Sequence, residues 1–180
     1  MILNKEWIIF WKEKYDKEED LYNKGEEESL RINFNKNKFM SKDDLIKIMK
    51  WKFQGRLLGR QKRMLNLFKD FPEEKIIELS KNAFKSDNDE LKIIFLSNIP
   101  SIKNSLSSVI LTFYDPLNYG ILDIHSWREL FGKEPKDIFS NKKRVIDFFN
   151  VLREISKKTG LSCRDVEKAL FKKNLDSRNA

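Results

Sequence analysis

Residues 47–69 hold Lys47, Lys50, Lys52, Arg56, Arg60, Lys62, Arg63 and Lys69 and not a single acid. Trp51, Phe53, Leu57 and Leu58 are interleaved among these cations. Such a stretch is either the solvated face of a helix or a surface that neutralises the phosphates of a nucleic acid or another polyanion. In the second case Trp51, Phe53 and Gln54 are placed to act as a wedge or a stacking surface, although burial is the default fate of both aromatics. A second anion-binding feature lies at 99–105. Pro100 stops a helix, and Asn104 can cap the next one, with Ser105 in its first turn. The free N–H groups at that helix start, beside Lys103, suit one backbone phosphate. Further on, Asp123 precedes a short apolar helix bearing Trp127 and Leu130, where its carboxylate can serve as the cap.

Other chemistry is excluded by scarcity. The single cysteine, Cys163, rules out an internal disulfide and a cysteine-built zinc site, and leaves no set of cysteines for an iron–sulfur cluster. The single histidine, His125, argues against histidine-rich metal sites and a histidine-based triad, and a structural or surface role is the simpler one for it. No cofactor is expected. No apolar run approaches the roughly 18 residues of a membrane span, and the amino terminus lacks the layout of a signal peptide. The expectation is a cytoplasmic protein without a membrane partner, nucleoid-associated if it binds DNA.

The elements that must position these residues are helical. The chain has 180 residues, of which 40% are apolar, enough to bury a core. Apolar residues recur at helical spacing nearly throughout. Trp7, Phe10 and Trp11 begin a first helix; Leu45, Ile48 and Met49 mark a second, capped by Ser41 with Asp44 three residues on. Met64, Leu67, Phe68 and Phe71 form a stripe, after which Pro72 starts a helix with Ile76, Leu79 and Ala83. Asp87 or Asn88 caps a helix with Leu91, Ile94 and Phe95. Leu106, Val109, Ile110 and Phe113 form the next stripe, and Val145, Phe148, Phe149 and Leu152 another. Ser162 caps a last helix. Leu30, Ile32 and Phe34 alternate in a strand-like way, and 23–40 reads as a loop region. The expectation is one compact all-α domain over 1–180, with eight to ten helices. The net charge of +8 is unevenly spread, concentrated in 47–69 and in the basic region 141–180.

Residues 91–131 are similar to the helix-hairpin-helix, Gly/Pro-rich-loop, Asp superfamily of DNA glycosylases. Ile99-Pro100-Ser101-Ile102-Lys103 matches the hairpin, Ser107-Ser108-Val109-Ile110-Leu111 the following helix, and Ile121-Leu122-Asp123 with Arg128 the aspartate motif. Bifunctional members carry a lysine 18 residues before the aspartate. Ser105 stands there in this chain, which resembles the monofunctional adenine-removing branch. The chain departs from the family in the hairpin, where Ser101 and Lys103 replace both glycines.

The resemblance implies a cleft between two helical lobes with Asp123 at its mouth, double-stranded DNA as partner, and base excision by a monofunctional N-glycosylase. Asp123 would stabilise positive charge on the sugar of a flipped nucleotide or orient water. Ser101, Lys103, Asn104 and Ser105 would hold the phosphate backbone, together with Lys50, Lys52, Arg56, Arg60, Lys62 and Arg63. Arg128 would pair with an acid or a phosphate, and Trp127 would be core. The alternative is a catalytically inactive relative that keeps the fold as a DNA- or protein-binding module.

Overall fold

Short polar side chains set the helix starts. In the computed structural model, which describes residues 3–19, 21–53, 59, 66, 67 and 70–179, Asn4 accepts from the Trp7 amide at 2.9 Å. Asn88 does the same for Leu91 at 3.0 Å, and Asn141 for Lys143 at 3.0 Å. Ser41 and Asp44 satisfy each other's amides reciprocally, at 3.0 and 3.1 Å. Ser162 accepts from the Asp165 amide at 3.0 Å.

These caps open most of nine helices found among the described residues, with no strand there. They are α1 (Lys5–Glu18), α2 (Leu21–Asn37), α3 (Lys42–Phe53), α4 (Glu73–Lys85), α5 (Asp89–Ser97), α6 (Asn104–Tyr114), α7 (Ile124–Phe131), α8 (Lys142–Thr159) and α9 (Cys163–Asn179). Helix α6 is the centre: every residue from Leu106 to Phe113 is buried, as expected of a helix apolar on all sides. It packs against α2, α5 and α8, while α9 lies against α1, α7 and α8. The stripes Leu106–Phe113 and Val145–Leu152 are core throughout.

Several expectations are corrected. The segment 23–40 is not a loop: α2 runs through Asn37. Leu30 and Phe34 are buried four residues apart while Ile32 is 55% exposed, which is helical and not strand periodicity. Asn104 does not cap α6. Lys103 occupies the N-cap without a side-chain bond, and Asn104 is one residue inside and buried. On α1 the buried residue is Ile8, with Phe10 turned to solvent, and on α5 Ile93 and Leu96 are buried and Leu91 is exposed. Pro72 sits at the N-cap of α4, one residue ahead of its first turn. Of the Met64–Phe71 stripe, Met64 and Phe68 lie outside the described residues, Leu67 is exposed and Phe71 packs against the core.

Candidate functional site

The segment 91–131 folds as helix α5, a turn over 98–103, helix α6, an extended passage over 115–123, and helix α7. At the turn Ser101 has φ +64°, a left-handed conformation in which glycine is the unstrained residue. Lys103 is extended, with φ −120° and ψ 178°, so the backbone there has no need of glycine. Its side chain is exposed at the start of α6.

Two serines of α6 fix the passage that leads to Asp123. The Ser108 hydroxyl accepts from the Leu122 amide at 2.9 Å, and the Ser105 hydroxyl donates to the Leu122 carbonyl at 3.4 Å. Ser105 therefore borders the passage to Asp123 as a strut. The other side of the loop is held by α9: the amides of Cys163 and Arg164 donate to Leu117 and Pro116 carbonyls at 3.2 and 3.0 Å. Gly120 permits this approach, since a Cβ there would stand 2.9 Å from Glu167 Cβ and closer still to Leu152.

The two oxygens of Asp123 have different surroundings. Oδ1 accepts from the His125 amide at 2.9 Å and caps α7. Oδ2 lies 3.8 Å from Lys52 Nζ on α3. Both residues line a cavity of about 470 Å³, within the range of about 300–1,000 Å³ common for small-molecule sites. Trp51, Tyr15 and Phe171 supply ring surface to its wall, and Glu167, Arg164 and His125 supply polar groups. The His125 ring stands edge-on to Phe171 at 5.2 Å and bonds Asn174 Oδ1 at 3.1 Å. Asp123 thus acts as a helix cap and also borders a cavity, and its side chain is 27% exposed.

The electrostatics are unusual for their depth. Arg164 is buried and donates to both oxygens of Glu27, at 3.0 and 2.8 Å, and to Glu167. Burial pushes the Glu167 carboxyl above its ordinary range, although Arg164 pulls the other way. Burial likewise lowers the Lys52 amine, with Asp123 and Glu167 offsetting only part of the effect. Burial raises the Cys163 thiol to about 11, so it is inert.

Sequence reasoning selected Asp123 and Lys52, and the fold brings these together. It missed Tyr15, Glu18, Glu19, Arg164, Glu167 and Phe171. Their signal was the complementary charge of two distant helices: Asp16 and Glu18 on α1, with Glu19 at its C-cap, bind Lys168 and Lys172 of α9 at 2.6–3.2 Å. The basic C-terminal region is therefore largely turned inward at these positions. Arg153 likewise pairs with Asp89 at 2.6 Å. Ser101, Lys103, Asn104 and Ser105 are outside the cavity wall, at the hairpin, and Lys50 is exposed on α3. Arg56, Arg60, Lys62 and Arg63 lie outside the described residues. Arg128 pairs with Glu134, and Trp127 is buried against Phe131.

No protein-family model, curated protein or solved structure matches the chain. Among the described residues no group of acidic, histidine or cysteine side chains is placed to hold a metal ion, and no helix is long and apolar enough to cross a membrane.

Proposed function

We propose that the chain is a DNA-binding protein of helix-hairpin-helix glycosylase-like fold, two helical lobes around a cleft, that excises a damaged or mispaired base from duplex DNA. One observation carries this reading: Asp123 has one oxygen fixed by the α7 amide and the other turned to an aromatic-walled cavity. Cleavage of an N-glycosidic bond builds positive charge on the sugar. A carboxylate held in one orientation stabilises that charge without reorganising. Burial lowers the basicity of Lys52, whose amine stands 3.8 Å from Asp123 Oδ2. A flipped base would stack against the rings of Trp51, Tyr15 or Phe171. Lys103 and the first amides of α6 would hold one phosphate of the backbone.

Duplexes that each carry one lesion test the reading, with wild type compared with Asp123→Asn. The expected result is release of a base from at least one duplex and a loss on the order of 10²–10³ in the variant, the size typical of removing one preorganised electrostatic group. No release from any duplex, or equal release by both proteins, overturns it. The loss of both hairpin glycines, at Ser101 and Lys103, favours the second reading, an inactive relative acting as a DNA- or protein-binding module. Salt-dependent duplex binding without base release would support that module on DNA, and a flat salt response would remove DNA from both readings.

A further inference from the structure

We propose that the aromatic face of α1 is a stacking track for single-stranded DNA, which leads an unpaired strand to the cavity at Asp123. The proposal rests on the reading of the cavity as DNA-directed, but not on base removal.

Ring side chains follow one another from the cavity wall along α1. Phe171 stands edge-on to Tyr15 with ring centres 5.9 Å apart, and both line the cavity. Trp11 and Trp7 follow Tyr15 at successive four-residue steps, about 6 Å of helix rise each. The two indoles are 6.3 Å apart, and Phe10 stands edge-on to Trp11 at 5.2 Å. The core accounts for only part of this row. Ile8 is the buried residue of α1, whereas Trp7 and Trp11 are half-buried and Phe10 is 54% exposed. Apolar surface gathered at one place in this way marks an interaction site.

The cations of this face identify the partner. On the side of α1 that meets α9, lysines are bonded to acids: Lys12 to Asp16 at 2.8 Å, Lys168 to Asp16 at 3.0 Å and Lys172 to Glu18 at 2.6 Å. Lys14 and Lys173 have no carboxylate partner among the described residues and stand over the rings instead. Lys14 Nζ is 4.9 Å from the Phe10 ring centre and 4.5 Å from that of Trp11, and Lys173 Nζ is 5.7 Å from Trp11. Lys17 is exposed on the next turn beyond Lys14. The exposed acids Glu6 and Glu13 fall on the side of α1 roughly opposite Trp11, at about 100° per residue. Rings interleaved with unpaired ammonium groups suit a strand whose bases stack while its phosphates meet the cations. The bases of a duplex are stacked on one another and offer these rings no face, so the match is to an unpaired strand.

Fluorescence anisotropy of a labelled oligothymidine tests this on the whole chain, together with photocrosslinking of an iodouracil-substituted oligothymidine. The expected crosslinks fall on Trp7, Phe10 or Trp11. Phe10→Ala should lower single-strand affinity at least about fivefold, the smaller end of one base–aromatic stack, and leave duplex affinity unchanged. Lys14→Gln should reduce the single-strand salt slope by about 0.7. Leu91→Ala, which removes an exposed apolar side chain on α5, should change nothing. Melting temperature is the folding control, and if Phe10→Ala does not fold, the wild-type crosslink map decides alone. No single-strand binding, crosslinks confined to other elements, or an equal loss on duplex or in Leu91→Ala overturns the proposal. Self-association that Phe10→Ala abolishes, without strand binding, assigns the face to a second copy and overturns it as well. Single-strand binding at α1 with no base release from any lesion refutes base excision only. Base release without binding at α1 refutes only this proposal.

Discussion

Ser107 and Ser108 are neighbours on α6, both fully buried, and they should respond oppositely to alanine. The Ser108 hydroxyl accepts from the Leu122 amide at 2.9 Å and donates to the Ser105 carbonyl at 2.7 Å. Removing it deletes its own donor together with that second bond, so the carbonyl loses little. The Leu122 amide, in contrast, is left buried with no acceptor. An unsatisfied buried group costs about 1–3 kcal/mol, so Ser108→Ala should destabilise by about 2 kcal/mol. For a chain of this length each kcal/mol moves Tm by about 2–4 °C, which predicts a fall of roughly 4–8 °C. Ser107 Oγ has no hydrogen-bond partner. Replacing it removes a desolvated polar atom and loses no bond, so Ser107→Ala should be neutral or stabilising by up to about 1 kcal/mol. Urea unfolding followed by tryptophan fluorescence measures both, with equal m-values as the check that the unfolded ensembles are alike. The reasoning fails if Ser107→Ala costs as much as Ser108→Ala, or if Ser108→Ala stays within about 0.5 kcal/mol of wild type.

Gly120→Ala should destabilise by about 1–3 kcal/mol, because its Cβ would stand 2.9 Å from Glu167 Cβ and 3.2 Å from the Cys163 carbonyl; thermal melting reads the loss. Ser101→Gly should stabilise by about 0.5 kcal/mol, since it relieves a left-handed serine at φ +64° against the larger entropy that glycine loses on folding. A destabilisation in urea would refute that. Burial opposes ionisation of Asp89, but hydrogen bonds from Arg153 and Tyr119 outweigh it and hold the carboxyl below its ordinary value. A depressed folded pKa means that the contribution is complete above about pH 4, the unfolded value, and is lost as pH falls through the lower folded one. Asp89→Asn should accordingly be less stable than wild type at pH 7 and should flatten the acid limb of the stability profile. A parallel offset at every pH would show that Asp89 does not act through its charge.

What was readable in the sequence was local. Serine and asparagine caps at 41, 88 and 162 state where helices begin because their partners lie three residues away. The stripe of α8 states which face is buried, since Val145, Phe148, Phe149 and Leu152 share it, and the apolar run of α6 marks a helix buried on all sides. Helix α2 was unreadable for the opposite reason. Its buried apolar residues are few, Leu30 and Phe34, and its acidic run contains Glu27, whose partner Arg164 is 137 residues away. No window along the chain contains that pairing. The candidate site divides in the same way. Asp123 stands in a segment confined to α5–α7, whereas the opposite wall of the cavity comes from α1 and α9, joined by Lys168 and Asp16 over 152 residues.

The charge follows from that division. A net +8 invites the inference that each basic segment faces a polyanion, yet Arg164, Lys168 and Lys172 face acids of α1 and α2. These pairs bury cations that a nucleic acid would otherwise meet, and they do so beside the cavity, where an unpaired charge would be costly. Lys143, Lys157 and Lys158 remain exposed on α8, but a phosphate backbone approaching Asp123 by way of the hairpin would first meet Lys103 and the free amides of α6. Neutralising Lys103 should therefore weaken duplex binding uniformly across sequences and reduce the salt slope by about one unit. Substituting Lys168 should leave the slope unchanged and act through stability instead. A salt slope that falls equally in both variants would mean that the ion pairs of α9 open on binding, and that the inward charge is a reserve for the partner and not a structural fixture.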